Sequence, residues 1–204
     1  MTWFHPAGTL ATGDADVLVT PENAGWAYSG LRVYTLKAGT PVAVSLDNEE
    51  GIIVPLSARK IRVTIAGAEY TLEGRIGVFD SVSDWLYTPI GSQVTLSADS
   101  GEVAICTARA TEVFPVAHIR AADVSVEVRG SGQATRQVTN IATPSSFTSA
   151  HKINVCEVIT PGGNWWWCRW CNQFVTSGQQ RGEASSHGTK NAGDQGEQAE
   201  LPER

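Results

Sequence analysis

The sequence predicts an all-β fold, a sandwich or barrel built from many short strands. Apolar and polar residues alternate with a period of two in several runs, among them Arg62–Ile65, Val94–Ser97 and Val124–Val128. Such alternation places one side of a strand on a core and the other in water. Glycine-containing turns separate these runs at short intervals, and no segment shows the period of an amphipathic helix of ordinary length. Short strands punctuated in this way are typical of sandwiches and barrels.

The pattern weakens twice along the chain. Residues 113–122 contain Pro115 and no clear alternation, so we expect this stretch to pass between two β units. Three further strand-like runs follow, at 124–128, 135–141 and 153–159. From Thr176 onward the composition is polar, and such a segment buries too little apolar surface to offset an ordering cost of about 1–2 kcal/mol per residue. The predicted organisation is a β-sandwich at 1–120, the initial strands of a second unit at 121–165, and a Trp/Cys-rich stretch with a disordered polar tail at 166–204.

Charge and hydropathy exclude two classes of partner. The formal net charge of −6 argues against a protein that binds duplex nucleic acid, which needs a basic surface. No run approaches the ~18 apolar residues of a membrane helix, and the first residues lack the features of a secretory signal. We therefore expect neither a nucleic-acid nor a membrane partner, and a cytoplasmic location.

Histidine and cysteine spacing does not predict a complete local metal site. The four histidines, His5, His118, His151 and His187, all lie more than ten residues apart. Cys168 and Cys171 form one C-x-x-C, whereas structural zinc commonly needs two such pairs and a redox motif needs a βαβ context. Two incidental thiols are the favoured interpretation. Cys106 and Cys156 lie singly in apolar runs, where a thiol behaves as a small hydrophobic group.

Charged side chains offer two further candidates. Glu49 and Glu50 precede the apolar run Ile52–Val54, either as functional carboxylates on a sheet rim or, the favoured interpretation, as a solvated turn. Three arginines, Arg32, Arg75 and Arg136, would bind a carboxylate if they converged on a cavity, although surface ion pairs are the favoured role.

A series of short segments together resembles one family, the 5-deoxy-glucuronate isomerases. The segments run in order from about residue 6 to residue 165. They are Pro6–Thr9, Val19–Trp26, Tyr28–Val33, Val54–Ser57, Gly74–Arg75, Val78–Asp80, Asp84, Tyr87–Pro89, Ala108–Ala110, Glu127–Gly130, Arg136–Val138, Val155–Val158 and Thr160–Trp165. Each segment alone is weak, but the ordered series is specific.

The resemblance implies a bicupin, with two jelly-roll sandwiches in one chain and a divalent metal in the second. Two of the family's ligand histidines would fall near positions 171 and 173, where this sequence has Cys171 and Gln173. In the first cupin, the corresponding ligand positions carry Ser45-Leu46-Asp47 and Val94. We therefore expect a complete structural first cupin, a second cupin that is only begun, and a chain truncated or divergent after Trp165.

The resemblance also implies an aldose–ketose isomerase of myo-inositol catabolism that converts 5-deoxy-glucuronate to 5-dehydro-2-deoxy-gluconate. A divalent cation helps such a reaction by stabilising the developing oxyanion. Without the two histidines we expect no cofactor and no turnover by this chain, and no catalytic residue is assigned. The alternative is a non-catalytic module that binds a sugar acid or another protein. A homo-oligomer formed through exposed strand edges at 153–159 is a further possibility.

Overall fold

The computed structural model describes residues 5–160 and the backbone of the strand Asn172–Thr176. The strands are β1 (Val17–Val19), β2 (Ser29–Lys37), β3 (Val42–Leu46), β4 (Glu49–Pro55), β5 (Arg59–Ile65), β6 (Ala68–Gly74), β7 (Trp85–Thr88), β8 (Ser92–Ser97), β9 (Ser100–Arg109), β10 (Ala117–Ile119), β11 (Ser125–Arg129), β12 (Arg136–Asn140), β13 (Val155–Ile159) and β14 (Asn172–Thr176). One helical turn, α1 (Pro21–Ala24), and two 3₁₀ turns, Ala121–Asp123 and Gly132–Ala134, complete the elements.

The first ten strands form a jelly-roll sandwich. A six-stranded sheet in the order β1-β2-β9-β4-β7-β10 faces a four-stranded sheet in the order β3-β8-β5-β6, and all pairs are antiparallel. Strands distant in sequence lie side by side, as in the double-sheet architecture of cupins. The predicted cupin-type all-β fold is confirmed.

Alternating side chains from both sheets fill the space between them. The buried members of this core include Leu36, Val44, Leu46, Ile53, Ile61, Val63, Leu72, Leu86, Leu96 and Ile105. The apolar sides of the predicted strands at 62–65 and 94–97 face this core, as the period-two pattern requires.

The six-stranded sheet is buried on both sides. All seven residues of β4 are buried: Ile53 packs in the sandwich core, whereas Ile52 and Val54 face a second apolar cluster. A continuous apolar run is typical of a strand covered on both faces. The second cluster contains Trp85, Tyr87 and Cys106 from the sandwich together with Ile141, Phe147, Ile153 and Val155 from beyond it. The segment between β12 and β13 therefore covers the outside of the first sandwich.

The last four strands form a separate sheet in the order β11-β12-β13-β14. Strands β11, β12 and β13 overlap the three predicted runs. Strand β10, which pairs with β7, and strand β14, which pairs with β13, lie in stretches where no strand was predicted. The predicted exposed edge at 153–159 is wrong, because β13 lies between β12 and β14. Strand β11 is an edge of this sheet, and all five of its residues are exposed.

Helical structure is minor, as predicted. Thr20 caps α1: its hydroxyl accepts from the Asn23 N–H, while the Asn23 side chain accepts from the Thr20 N–H. In the described part of the chain, no helix has the length and apolar character needed to cross a membrane. The predicted disordered tail lies outside the described residues.

Candidate functional site

The interior of the first sandwich is apolar at the positions where the family resemblance suggested ligands. Ser45 and Asp47 point away from the core, and the Ser45 hydroxyl donates to Asp47 Oδ1 at 2.5 Å. Their neighbours Val44 and Leu46 point inward and are buried, and Val94 lies opposite Val44 in the same core. Since successive side chains of a strand face opposite sides, hydrocarbon occupies the inward positions.

The described residues do not fit a divalent metal. Within residues 5–160, no group of three or more His, Cys, Asp or Glu side chains comes close enough together to hold an ion. Cys168, Cys171 and His187 lie outside the described residues. Gln173 lies on β14 opposite Val158, and its side chain is likewise outside the described part.

Glu49 begins β4 and faces the sandwich core. Its carboxylate accepts hydrogen bonds from Arg32 Nη2 at 2.5 Å and from the Thr107 hydroxyl at 3.1 Å. Arg32 Nη1 also donates to the Ser45 carbonyl at 2.9 Å. The favoured prediction of a solvated turn at Glu49 and Glu50 is wrong, because both side chains are buried.

Glu50 points to the opposite side of β4, towards the second apolar cluster. Its Oε1 accepts from the backbone N–H groups of Lys152 at 2.5 Å and Ile153 at 2.6 Å. Its Oε2 accepts from the His151 N–H at 2.9 Å and from the Tyr87 hydroxyl at 2.8 Å. A fully buried carboxylate is tolerated only with such partners. Glu50 thus fixes the segment that leads into β13 onto the first sandwich.

Arg75 and Glu157 form a second connection between the two β units. Arg75 Nη1 and Nη2 donate to the two carboxylate oxygens of Glu157 at 3.0 and 2.5 Å, in a bidentate pair. The side chains are 1% and 2% exposed. Arg75 Nε also donates to the Pro55 carbonyl at 3.0 Å. Glu157 lies on β13, so this pair shows which side of the second sheet faces the sandwich.

The three candidate arginines do not converge. Arg32 pairs with Glu49 and Arg75 with Glu157, while Arg136 Nη1 donates to the Ala134 carbonyl at 3.2 Å. The favoured surface role is also wrong for Arg75, which is buried. The partners of Arg32 and Arg75 come from other strands, which local sequence patterns do not reveal.

Two of the described histidines, His118 and His151, make structural contacts. His118 lies on β10, and its Nε2 is 3.0 Å from Asp84 Oδ2, while the same carboxylate accepts from the backbone N–H groups of Glu73 and Gly74. His151 Nδ1 accepts from the Thr111 N–H at 3.1 Å. His5 is exposed.

The side of the second sheet opposite the sandwich, called here the distal face, carries a polar network. Cross-strand register places eight described side chains on it: Ser125, Glu127, Arg129, Arg136, Val138, Asn140, Cys156 and Val158. Glu127 Oε2 accepts from Arg129 Nε at 2.8 Å, and Glu127 Oε1 accepts from Asn140 Nδ2 at 2.8 Å.

The hydrogen bond from Arg129, and then that from Asn140, lowers the pKa of Glu127. The same carboxylate raises the pKa of Arg129. Of this network, sequence reasoning had singled out Arg136 as a candidate but neither Arg129 nor Glu127. The available signal was the alternation in Glu127-Val128-Arg129, which places the two charges on one side of a strand.

Residues 3–166 match the KduI/IolB family. The chain belongs to this family. It is 34% identical over 151 residues to the 5-deoxy-glucuronate isomerase of Geobacillus kaustophilus, covering 73% of this chain and 54% of that relative. It is 34% identical over 146 residues to the enzyme of the same name from Listeria monocytogenes, covering 70% and 53%.

A solved structure supports the same assignment. An IolB-like protein from Salmonella typhimurium LT2 superimposes with a TM-score of 0.68 at 31% identity, covering 76% of this chain and 59% of that one. The family match includes the first sandwich and strands β11 to β13. The chain spans about half the length of the curated relatives it matches.

Proposed function

We propose that this KduI/IolB chain recognises 5-deoxy-glucuronate, the sugar acid that isomerases of this family convert to 5-dehydro-2-deoxy-gluconate in a cytoplasmic step of inositol catabolism. The observation that carries the proposal is the continuous family match over residues 3–166, shared with relatives named 5-deoxy-glucuronate isomerase. The described residues would supply the structural first sandwich and one wall of a sugar-acid site.

The chemistry of the distal face favours binding over proton transfer. Aldose–ketose isomerisation moves a proton between adjacent carbons, and the base that carries it works best with a pKa near the operating pH. Glu127 has a lowered pKa, because Arg129 and Asn140 donate to its carboxylate. It therefore stays ionised, as a weak base but a strong hydrogen-bond acceptor. Sugar hydroxyls are donors of the kind that such a carboxylate binds.

We further propose that this chain binds the sugar acid without turning it over. Positions 171 and 173 carry a thiol and an amide where the resemblance places two ligand histidines. In the part that the structure describes, no cluster of three acidic, cysteine or histidine side chains replaces them. A sugar-acid-binding protein without isomerase activity is the function that these residues support best.

The test is a turnover assay beside a binding measurement. The full chain is incubated with 5-deoxy-glucuronate and Mn²⁺, with and without EDTA, and the product is followed by ¹H NMR. The Geobacillus kaustophilus relative serves as the positive control. We expect product from the control alone, and ligand-observed NMR to show binding by this chain. Chelator-sensitive product from this chain would contradict the proposed inactivity, and absence of both binding and turnover would contradict the proposed substrate.

A protein-interaction role is the second candidate, favoured by the exposed edge strand β11. Its Val128 is 74% exposed, and an open strand edge offers unpaired backbone groups to another chain. A homo-oligomer would form through this edge instead of the predicted edge at 153–159, and the size of the chain in solution over a range of concentrations checks it.

A further inference from the structure

Two arginines stand directly opposite each other at the end of the β11–β12 hairpin. Arg129 and Arg136 are register partners, so both side chains lie on the distal face. Side chains in this relation have Cβ atoms about 4.5–5.5 Å apart, and like charges so placed destabilise the pair. An anion between the two guanidinium groups would reverse that effect.

A carboxylate balances the positive charge of Arg129, whereas none forms an ion pair with Arg136 among the described residues. Arg129 pairs with Glu127 at 2.8 Å and its side chain is 51% exposed. Arg136 donates to the Ala134 carbonyl, and among the described residues no carboxylate lies within ion-pair distance of it. Glu127 is the single acidic side chain among the described members of the distal face, so one positive charge is in excess there.

The loop between the strands is shaped to hold Arg136. Gly130 has a φ of +80°, which L side chains rarely adopt. A Cβ added to Gly130 would lie 2.3 Å from the Ala134 carbonyl oxygen and 3.3 Å from Arg136 Nη1. Glycine therefore lets the loop close beneath the guanidinium group.

We propose that Arg129 and Arg136 bind the carboxylate of a sugar acid, with the exposed Glu127 carboxylate bound to one of its hydroxyls. The inference rests on the proposed function, from which the sugar-acid class is taken. Guanidinium groups present forked donors that match a carboxylate, and one carboxylate neutralises the excess charge. Glu127 lies two residues before Arg129 on the same face and is held by the buried Asn140, so an acceptor group lies beside the carboxylate position. Neutral sugars lack the group that the arginines bind.

The test measures binding of D-glucuronate to the full chain by NMR titration. We expect wild type to bind D-glucuronate and to show no shift with D-glucose at equal concentration. Arg136→Gln and Arg129→Gln should each weaken D-glucuronate binding about tenfold or more, the scale of one charge-assisted contact. The matched control is Arg120→Gln, which removes an arginine that is 83% exposed and pairs with Asp123 away from this hairpin. It should leave binding unchanged.

The outcomes separate this inference from the proposed function. Binding that persists in Arg136→Gln and Arg129→Gln, or equal shifts with D-glucose, overturns the arginine site and leaves the proposed function standing. An equal response to inorganic phosphate, insensitive to both substitutions, also overturns it. Binding lost in both variants and retained in Arg120→Gln supports the site, whether or not the chain turns over 5-deoxy-glucuronate. If wild type does not bind D-glucuronate, the site is overturned, and binding of 5-deoxy-glucuronate in the earlier test decides the proposed function separately.

Discussion

Adjacent residues of this chain serve opposite sides of one strand. Glu49 binds Arg32 on the sandwich side of β4, whereas Glu50 binds backbone N–H groups on the other side. From the sequence, a solvated turn was the favoured interpretation for these two carboxylates. The apolar run Ile52–Val54 pointed the other way, because it indicates a strand buried on both faces. Glu49 and Glu50 belong to that same strand and are buried with it. The partners themselves lie up to 103 positions away and could not be read from the sequence.

Cys106 gives a prediction at the residue scale. Burial raises the pKa of its thiol to about 12. The folded chain therefore holds the thiol in its neutral form over a wider pH range than the unfolded chain does. The stability that this provides is fully present below the ordinary pKa of about 9, and it is lost as the pH rises from 9 towards 12. At pH 8 we expect iodoacetamide to leave Cys106 unmodified while it alkylates the half-buried Cys156. Peptide mass mapping checks the sites.

Urea supplies the control for that experiment, because both thiols should react alike in the unfolded chain. Equal modification of Cys106 and Cys156 in the folded chain would contradict the prediction. In Cys106→Ala, the fall in the free energy of unfolding above pH 9 should be shallower than in wild type.

At the scale of single elements, period-two alternation predicted three strands of intermediate length but did not single out the two longest, β2 and β9. Strands β5, β8 and β11 were recognised from residues 62–65, 94–97 and 124–128. Strands β10 and β14 were missed for different reasons. Strand β10 has only three residues, which is too short to show an alternating pattern, and β14 lies in the Trp/Cys-rich stretch. Sheet order was also beyond local patterns, because β9 inserts between β2 and β4 by pairings such as Gly30 with Thr107.

The Arg75–Glu157 pair, which connects β13 to the end of β6, yields a prediction at this scale. Arg75→Met removes the guanidinium group from a carboxylate that is 2% exposed, so we expect a loss of about 3–5 kcal/mol in the free energy of unfolding. The double variant Arg75→Met/Glu157→Leu removes both charges and should recover part of that loss. Urea denaturation measures all three proteins.

Arg62→Met is the matched control, because that arginine is 62% exposed in its pair with Glu69. An exposed pair contributes about 0–1 kcal/mol, so little change is expected. Equal stability of Arg75→Met and the double variant would show that the buried charge is not the cause of the loss.

At the scale of the whole molecule, each β unit buries a carboxylate in the other. Glu50 of the sandwich is held by the segment before β13, and Glu157 of β13 is held by Arg75 of the sandwich. The sequence predicted a change of unit near residue 120, and the sheets do change between β10 and β11. It did not reveal that residues 141–155 complete the covering of the first sandwich, because that packing depends on tertiary contacts with Trp85 and Tyr87.

Glu50→Gln tests this connection. The amide nitrogen cannot accept, so some of the N–H groups of residues 151–153 lose their partner inside the protein. We expect the free energy of unfolding to fall by about 2–4 kcal/mol, and amide hydrogen exchange to accelerate at those three residues. Glu73→Gln, at a side chain that is 68% exposed, should change neither quantity. Unaltered exchange at 151–153 in Glu50→Gln would contradict the role assigned to Glu50.

The central position of β9 has a consequence for biosynthesis. Strands β2 and β4 leave the ribosome well before Ser100–Arg109, the strand that lies between them. At about 5–20 residues per second, translation from Lys37 to Ser100 takes about 3–13 s. Until β9 is made, the edges of β2 and β4 that pair with it have no hydrogen-bond partners. The Glu50 carboxylate gains its partners at residues 151–153 later still. The completed sandwich is therefore a late product of translation, and its early strands are the segments that a ribosome-associated chaperone would have to shield.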